Sequence, residues 1–126
     1  MTILGIDTVA VVVSDRREAL KWYRDILGLK EAFVAPNVGH WIEMGPGRPL
    51  TRIHLCELKE VEPGPTGIAL LTDDIQAEYR RLRGKGVSFR YPPKKMDWGE
   101  WLCAFTDPDG NEFDLKQPLE PSKWTY

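Results

Sequence analysis

Val9-Ala10-Val11-Val12-Val13-Ser14-Asp15 and, 59 residues further on, Ile68-Ala69-Leu70-Leu71-Thr72-Asp73-Asp74 are two statements of one pattern. Each is a mostly apolar run that ends in a side chain able to cap a helix. The offset continues into the helical stretches: Leu20 matches Tyr79 and Tyr23 matches Leu82. Each helical stretch stops at a glycine, Gly28 or Gly86, with an apolar residue next, Leu29 or Val87. Ile53-His54-Leu55 lies against Phe113-Asp114-Leu115 at an offset of 60. Self-similarity at a long, fixed period means that one supersecondary unit has been used twice.

Each copy reads as βαβββ. In the first, a strand is predicted at about 6–13, and Ser14 or Asp15 caps a helix that runs to Leu27. Its stripe is Ala19, Leu20, Tyr23, Ile26 and Leu27, apolar at helical spacing. Strands are predicted next at about 30–34, 40–44 and 51–57, the last two joined by Gly45-Pro46-Gly47. In the second copy a strand at about 67–72 leads to a helix at about 74–82. Further strands are expected at about 87–90, 100–106 and 112–116. Tyr91-Pro92-Pro93 reads as a loop, and Asp107-Pro108-Asp109-Gly110 as a tight turn. The modules are therefore 1–57 and 67–118, with a charged, proline-bearing linker at 58–66. The tail, 119–126, has no period, although Trp124 and Tyr126 are able to pack on something.

Composition narrows the function. There are 17 basic and 19 acidic side chains, a net charge of −2, which gives no basic face for nucleic acid. No apolar run approaches the ~20 residues of a membrane span, and no export signal opens the chain. Cys56 and Cys103, both in predicted strands, read as reduced thiols of a cytoplasmic protein. Nothing resembles a nucleophile elbow or a phosphate-binding glycine loop.

Taken in order and duplicated, three pieces resemble the vicinal-oxygen-chelate superfamily of glyoxalases, bleomycin resistance proteins and extradiol dioxygenases. They are the strand ending Val13-Ser14-Asp15, the helix with Trp22-Tyr23-Arg24-Asp25-Ile26-Leu27-Gly28, and the hairpin Phe105-Thr106-Asp107-Pro108-Asp109-Gly110-Asn111-Glu112-Phe113. The resemblance covers residues 5–118 and implies an α+β fold. Two tandem modules would form an incompletely closed β-barrel around a cavity, with the helices outside. Strand alternation then turns Val11, Val13, Leu55, Leu70, Phe113 and Leu115 toward the helices. Thr8, Ala10, Arg52, His54 and Cys56 from the first copy would face the cavity, as would Gly67, Ala69, Glu112, Asp114 and Lys116 from the second.

In family members with a metal, the resemblance places its ligands at Thr8, His54, Gly67 and Asp114. Threonine is a poor ligand and glycine has no side chain, so no four-ligand site and no cofactor are expected here. His54 and Asp114 are the two remaining metal candidates and the candidate acid–base pair. Thr8, Arg52, His54, Trp98, Trp101, Glu112 and Asp114 are the candidate ligand-binding residues. The tryptophans flank Gly99 as a lid, and His40 and Trp41 stand near another mouth. A His54–Cys56 site is a further reading, against plain packing.

Three functions are open to such a chain. The first is binding of a small organic molecule without the usual metal. The second is a lyase (lactoylglutathione lyase-like), isomerase or dioxygenase that holds Fe, Mn, Ni or Zn through His54 and Asp114. The third is a partner-binding protein with a vestigial cavity. Whether the chain is an enzyme stays open between them. A homodimer is expected, because open sheets leave edges that a second chain can cover. No nucleic-acid or membrane partner is expected.

Overall fold

A computed structural model describes residues 2–36, 41–47 and 50–119. The chain divides into two compact units, one up to Glu62 and one from Pro63. The first contains β1 (Thr8–Val13), α1 (Arg16–Asp25), β2 (Glu31–Val34), β3 (Ile42–Met44) and β4 (Arg52–Glu57). The second contains β5 (Gly64–Leu71), α2 (Ile75–Gly84), β6 (Phe89–Lys95), β7 (Trp101–Thr106) and β8 (Asn111–Gln117). The sheet orders are β1-β4-β3-β2 and β5-β8-β7-β6. In each sheet the first and last strands pair in parallel and the other neighbours are antiparallel. The two open, mixed sheets, each with one helix, are the duplicated βαβββ architecture of the sequence.

Alternation sorts the side chains as expected. Val11 and Leu55 are register partners, and both are buried beneath α1 with Val13, Ile53, Ala19 and Tyr23. Ala10 on the other face is exposed, and His54 and Cys56 are half-buried. The second unit buries Phe105, Phe113, Cys103 and Leu115 with Ile75 and Leu82 of α2. Phe105 stacks on Phe113 at 5.7 Å.

Both helices start by the same device. Asp15 and not Ser14 is the first cap, and its Oδ1 accepts from the amides of Arg17 and Glu18 at 3.0 Å. Asp74 accepts from the Ala77 amide at 3.1 Å. The end of the last strand supplies a second oxygen. Arg16 N donates to Glu57 Oε1 at 2.8 Å, and Ile75 N donates to Gln117 Oε1 at 2.9 Å. These amides have no partner within their helices, so the acceptors tie strand and helix together. Gly28 and Gly86 both take φ +88°, the left-handed position that ends a helix.

Two strand boundaries differ from the sequence reading. Tyr91-Pro92-Pro93 is not a loop, because β6 runs through it to Lys95. It is an edge strand with interrupted register, where a proline need not donate to the ladder. β5 begins at Gly64, inside the predicted linker. Thr66 Oγ1 donates to Glu112 O at 2.9 Å there, and the ladder breaks between Pro65 and Ala69 around Gly67, at φ +75°. β3 is described from Ile42, so its predicted start at His40 lies outside the described residues, as do Trp124 and Tyr126.

The shared strand-to-helix tie has a measurable consequence. Glu57→Ala and Gln117→Ala should each lower unfolding free energy in urea by about 1 kcal/mol, the typical loss when a helix-capping side chain is removed. Glu57→Gln should keep most of that stability, since an amide oxygen already does the same job at Gln117. An unchanged urea midpoint in both alanine variants would show that these bonds contribute nothing net.

Candidate functional site

The open face of the first sheet carries a connected polar and aromatic group. Its base is Arg52, the first residue of β4, which is only 2% exposed. Arg52 Nε donates to Glu43 Oε1, Nη2 donates to Asp7 Oδ1, and Nη1 donates to Leu50 O at 2.8 Å. The Asp7 bond, followed by the Glu43 bond, pushes the guanidinium pKa up. Glu43 is also buried and uses its second oxygen to accept from Trp41 Nε1 at 2.7 Å. A buried carboxylate needs such partners, and here both of its oxygens have one.

β3 sets Glu43 beside His54 in the antiparallel ladder. Trp41 then lies flat on the imidazole of His54, with centroids 3.7 Å apart and planes 17° from parallel. Burial is the main cause that lowers the His54 pKa. Glu43 pulls it up and Arg16 pushes it down, and the net direction is downward. A cavity of about 530 Å³ is lined by Asp7, Ala32, Phe33, Trp41, Glu43, Gly47 and Arg52. The rings of Phe33 and Trp41 are 49% and 42% exposed, so they offer aromatic surface in a place already fixed by hydrogen bonding.

The second unit uses the corresponding positions differently. Asp114 pairs with Ala69 across β5 as His54 pairs with Ala10 across β1. Its antiparallel neighbour is Ala104, where the first unit has Glu43. Tyr91 stays protonated beyond its ordinary range, first through burial and then through Asp114. The buried thiol of Cys103 is pushed up to about 12 by burial and by Asp114, which makes it inert at neutral pH. Glu112 approaches Arg90 at 3.4 Å. Trp98 is 61% exposed and donates to Glu100 Oε1 at 2.8 Å, and Lys116 meets that oxygen at 3.2 Å. Trp101 is half-buried at the start of β7.

The structure therefore brings His54 and Arg52 together on one sheet face, with Thr8 directly across from Arg52 in the β1–β4 register. Glu112 and Asp114 stand together on β8 of the second unit. Cys56 pairs with Val12, two residues along β4 from His54. His40 lies outside the described residues. Asp7, Glu43 and Phe33 do not stand out in the sequence. Only the β3–β4 register that puts Glu43 beside His54 could have pointed to one of them, and that register is not a local signal.

The donor set does not fit a family-type metal centre. Gly67 offers no donor and Thr8 a poor one. Among the described residues, no group of three or more His, Cys, Asp or Glu side chains could hold a metal ion. Two protein ligands would hold such an ion weakly. Also among the described residues, no helix is long and apolar enough to cross a membrane.

The depressed His54 pKa has a sign that can be checked. The folded ring stays neutral below the ordinary histidine value of about 6.5, while the unfolded ring takes up its proton there. His54 thus contributes stability that is fully present above about pH 6.5 and is lost as pH falls toward its folded value. An NMR titration should place one imidazole below about 6.5, assigned through His54→Phe. Trp41→Ala should move it upward by removing the covering ring. A His54 midpoint at or above 6.5 in the intact protein would contradict this burial.

Comparison with known proteins agrees with this geometry. The sequence profile of the Glyoxalase/Bleomycin resistance protein/Dioxygenase superfamily matches residues 5–115. The YetH protein of Bacillus subtilis (strain 168) is 32% identical over 117 residues, which cover 89% of this chain and 97% of YetH. A superfamily member from Sphaerobacter thermophilus DSM 20745 superposes with a TM-score of 0.81 at 33% identity, covering 92% of this chain and 98% of that one. TnmS3, an antibiotic binding protein from Streptomyces sp. CB03234, superposes with a TM-score of 0.77 at 32% identity, covering 94% of this chain and 98% of its own. With the duplicated βαβββ sheets, these matches show that the chain belongs to the Glyoxalase/Bleomycin resistance protein/Dioxygenase superfamily.

Proposed function

We propose that this protein binds a small organic molecule in the cavity on the open face of the first sheet, without a four-ligand metal centre. The observation that carries the reading is the fixed indole of Trp41, clamped between Glu43 and His54 at the wall of a cavity of about 530 Å³. That volume falls within the range of small-molecule sites. A ring held in advance loses little freedom when a ligand stacks on it, so more of the contact energy becomes affinity. His54 then serves as the shelf beneath Trp41, and Arg52 positions Glu43. The similarity to TnmS3, an antibiotic binding protein, supports a binding role of this kind.

Thr8 in the first unit, and Trp98, Trp101, Glu112 and Asp114 in the second, are proposed as further ligand-binding residues, each within its own unit. Two free thiols, Cys56 and Cys103, suit a reducing cytoplasm. We also infer a homodimer, because each sheet ends on edge strands.

The test is a thermal-shift screen of aromatic acids, thiols and antibiotics. A ligand present at 100 times its Kd should stabilise the protein by about 2.7 kcal/mol. Trp41→Ala should remove that shift. His54→Phe, which preserves a flat ring under the indole, should retain most of it. Stoichiometric Fe, Mn, Ni or Zn in protein purified without chelator, lost in His54→Ala, would overturn the reading in favour of a metal-dependent enzyme. Silence across a broad library would favour a partner-binding protein. Sedimentation at micromolar concentration should show a dimer, and a monomer alone would remove the oligomer from the proposal.

A further inference from the structure

The net charge of the chain hides a local imbalance. Between Glu78 and Asp97 there are seven basic side chains and no acidic one. That stretch is the second half of α2, its closing turn and the whole of β6, and the helix and strand pack on each other. Arg81 is answered by Glu78 at 2.9 Å and Arg90 by Glu112 at 3.4 Å. Arg83 is different. It lines a groove of about 390 Å³ between α2 and β6, whose walls include Tyr79, Ser88, Phe89 and Arg90.

Aromatic packing places Arg83 there. Tyr79, one helical turn earlier, rests edge-on against Phe89, with centroids 4.8 Å apart. Its hydroxyl accepts from Arg83 Nη1 at 3.1 Å, and the guanidinium carbon lies 5.5 Å from the centre of its ring. A guanidinium is a fork of donors, and this contact occupies one of them. Nε and Nη2 meet no acceptor among the described residues. The Tyr79 hydroxyl, having accepted, still has its own proton to give, and the exposed Ser88 offers another hydroxyl. The negative end of a helix would normally oppose an anion at this point. Here it is muted, because the carbonyls of Arg81, Leu82 and Arg83 accept from the amides of Lys85, Gly86 and Val87.

We propose that the α2–β6 groove is a second ligand site, which takes the phosphoryl group of a small phosphate ester. Arg83 holds the anion through the donors that Tyr79 leaves unused, and the hydroxyls of Tyr79 and Ser88 donate to its remaining oxygens. A phosphoryl group has more acceptor oxygens and more charge than a carboxylate, so it answers this set of donors more fully. Arg90 stays with Glu112 and adds only attraction at a distance. The inference is independent of the cavity in the first unit.

The test titrates phenyl phosphate, benzoate and benzyl alcohol into the full chain by calorimetry, with arginine Nε–H and backbone amide signals followed by NMR. Phenyl phosphate should bind about tenfold tighter than benzoate, and benzyl alcohol should give no signal at about 10 mM. The largest shifts should fall on Arg83 Nε–H and on the amides of Ser88 and Phe89, a readout that needs no variant. Arg83→Gln should weaken phenyl phosphate by about tenfold, and Arg83→Lys should restore only part of that, since an ammonium lacks the planar fork. Tyr79→Phe keeps the ring against Phe89 and should weaken binding about threefold. Arg80→Gln removes an exposed charge of the same helix outside the groove and should change binding by less than about twofold. Equal weakening in Arg80→Gln and Arg83→Gln overturns the site, because binding then follows the charge of the whole stretch. Shifts centred on the Trp41 indole overturn it by placing the phosphate in the first unit. Binding of a short single-stranded oligonucleotide without binding of phenyl phosphate overturns it in favour of an extended polyanion surface. Neither heat nor shift with phenyl phosphate at about 10 mM overturns it outright.

Discussion

The parallel pairing of first strand with last strand in each copy is the constraint on which everything else depends. Val11 faces Leu55 in one sheet and Leu70 faces Leu115 in the other, on the side covered by the helix. Burying that side is what folding gains most from, at roughly 25 cal/mol per Å² of apolar surface. Because alternate residues point to opposite faces, fixing Leu55 inward fixes His54 and Cys56 outward. A slip of one residue would bury His54 and expose Leu55. The site is thus oriented by the core beneath it before any polar contact is made.

The two copies have kept the helix side and diverged on the open side. Asp15 and Asp74 cap in the same way, and Glu57 and Gln117 reach back to the same helical amide. On the open faces, the ladder neighbour of the fourth strand is Glu43 in one unit and Ala104 in the other. The first unit has therefore built a buried ion network where the second has a methyl group. The second spreads its charges along the surface in pairs such as Lys116 with Glu100 and Arg90 with Glu112. Each sets a half-buried carboxylate against a more exposed cation, and pairs so open to water contribute little to stability. The network of the first unit restricts conformation more strongly, since a buried donor left without its acceptor is costly.

The range of each interaction decides how much of this is legible in the sequence. The repeat, the caps and the glycines at 28 and 86 are local, and periodicity with turn chemistry is enough to place them. β6 escapes that reading because proline usually marks the end of a strand, and only sheet order reveals that Pro92 and Pro93 lie on an edge. His54 and Arg52 emerge through alternation. Their partners do not, because Asp7 lies 45 residues from Arg52 along the chain and Glu43 lies 9 away. The Trp41–His54 stack is invisible for the same reason: each residue stands out separately, but nothing local joins them.

That buried arginine also bears on why the family's metal positions are poorly served in this chain. Thr8, one of those positions, stands directly across the β1–β4 ladder from Arg52. Carboxylates gathered on a sheet face require a positive partner, because their mutual repulsion grows as water is excluded. A divalent ion is one solution, and a guanidinium with donors in a fixed fork is another. Here Arg52 divides its donors between Asp7 and Glu43, and the second oxygen of Glu43 is spent on Trp41. A carboxylate committed in this way is poorly placed to ligate an ion, but it is well placed to hold an indole ring still. On this face the fork of Arg52 meets both carboxylates, and the second oxygen of Glu43 in turn fixes the Trp41 ring.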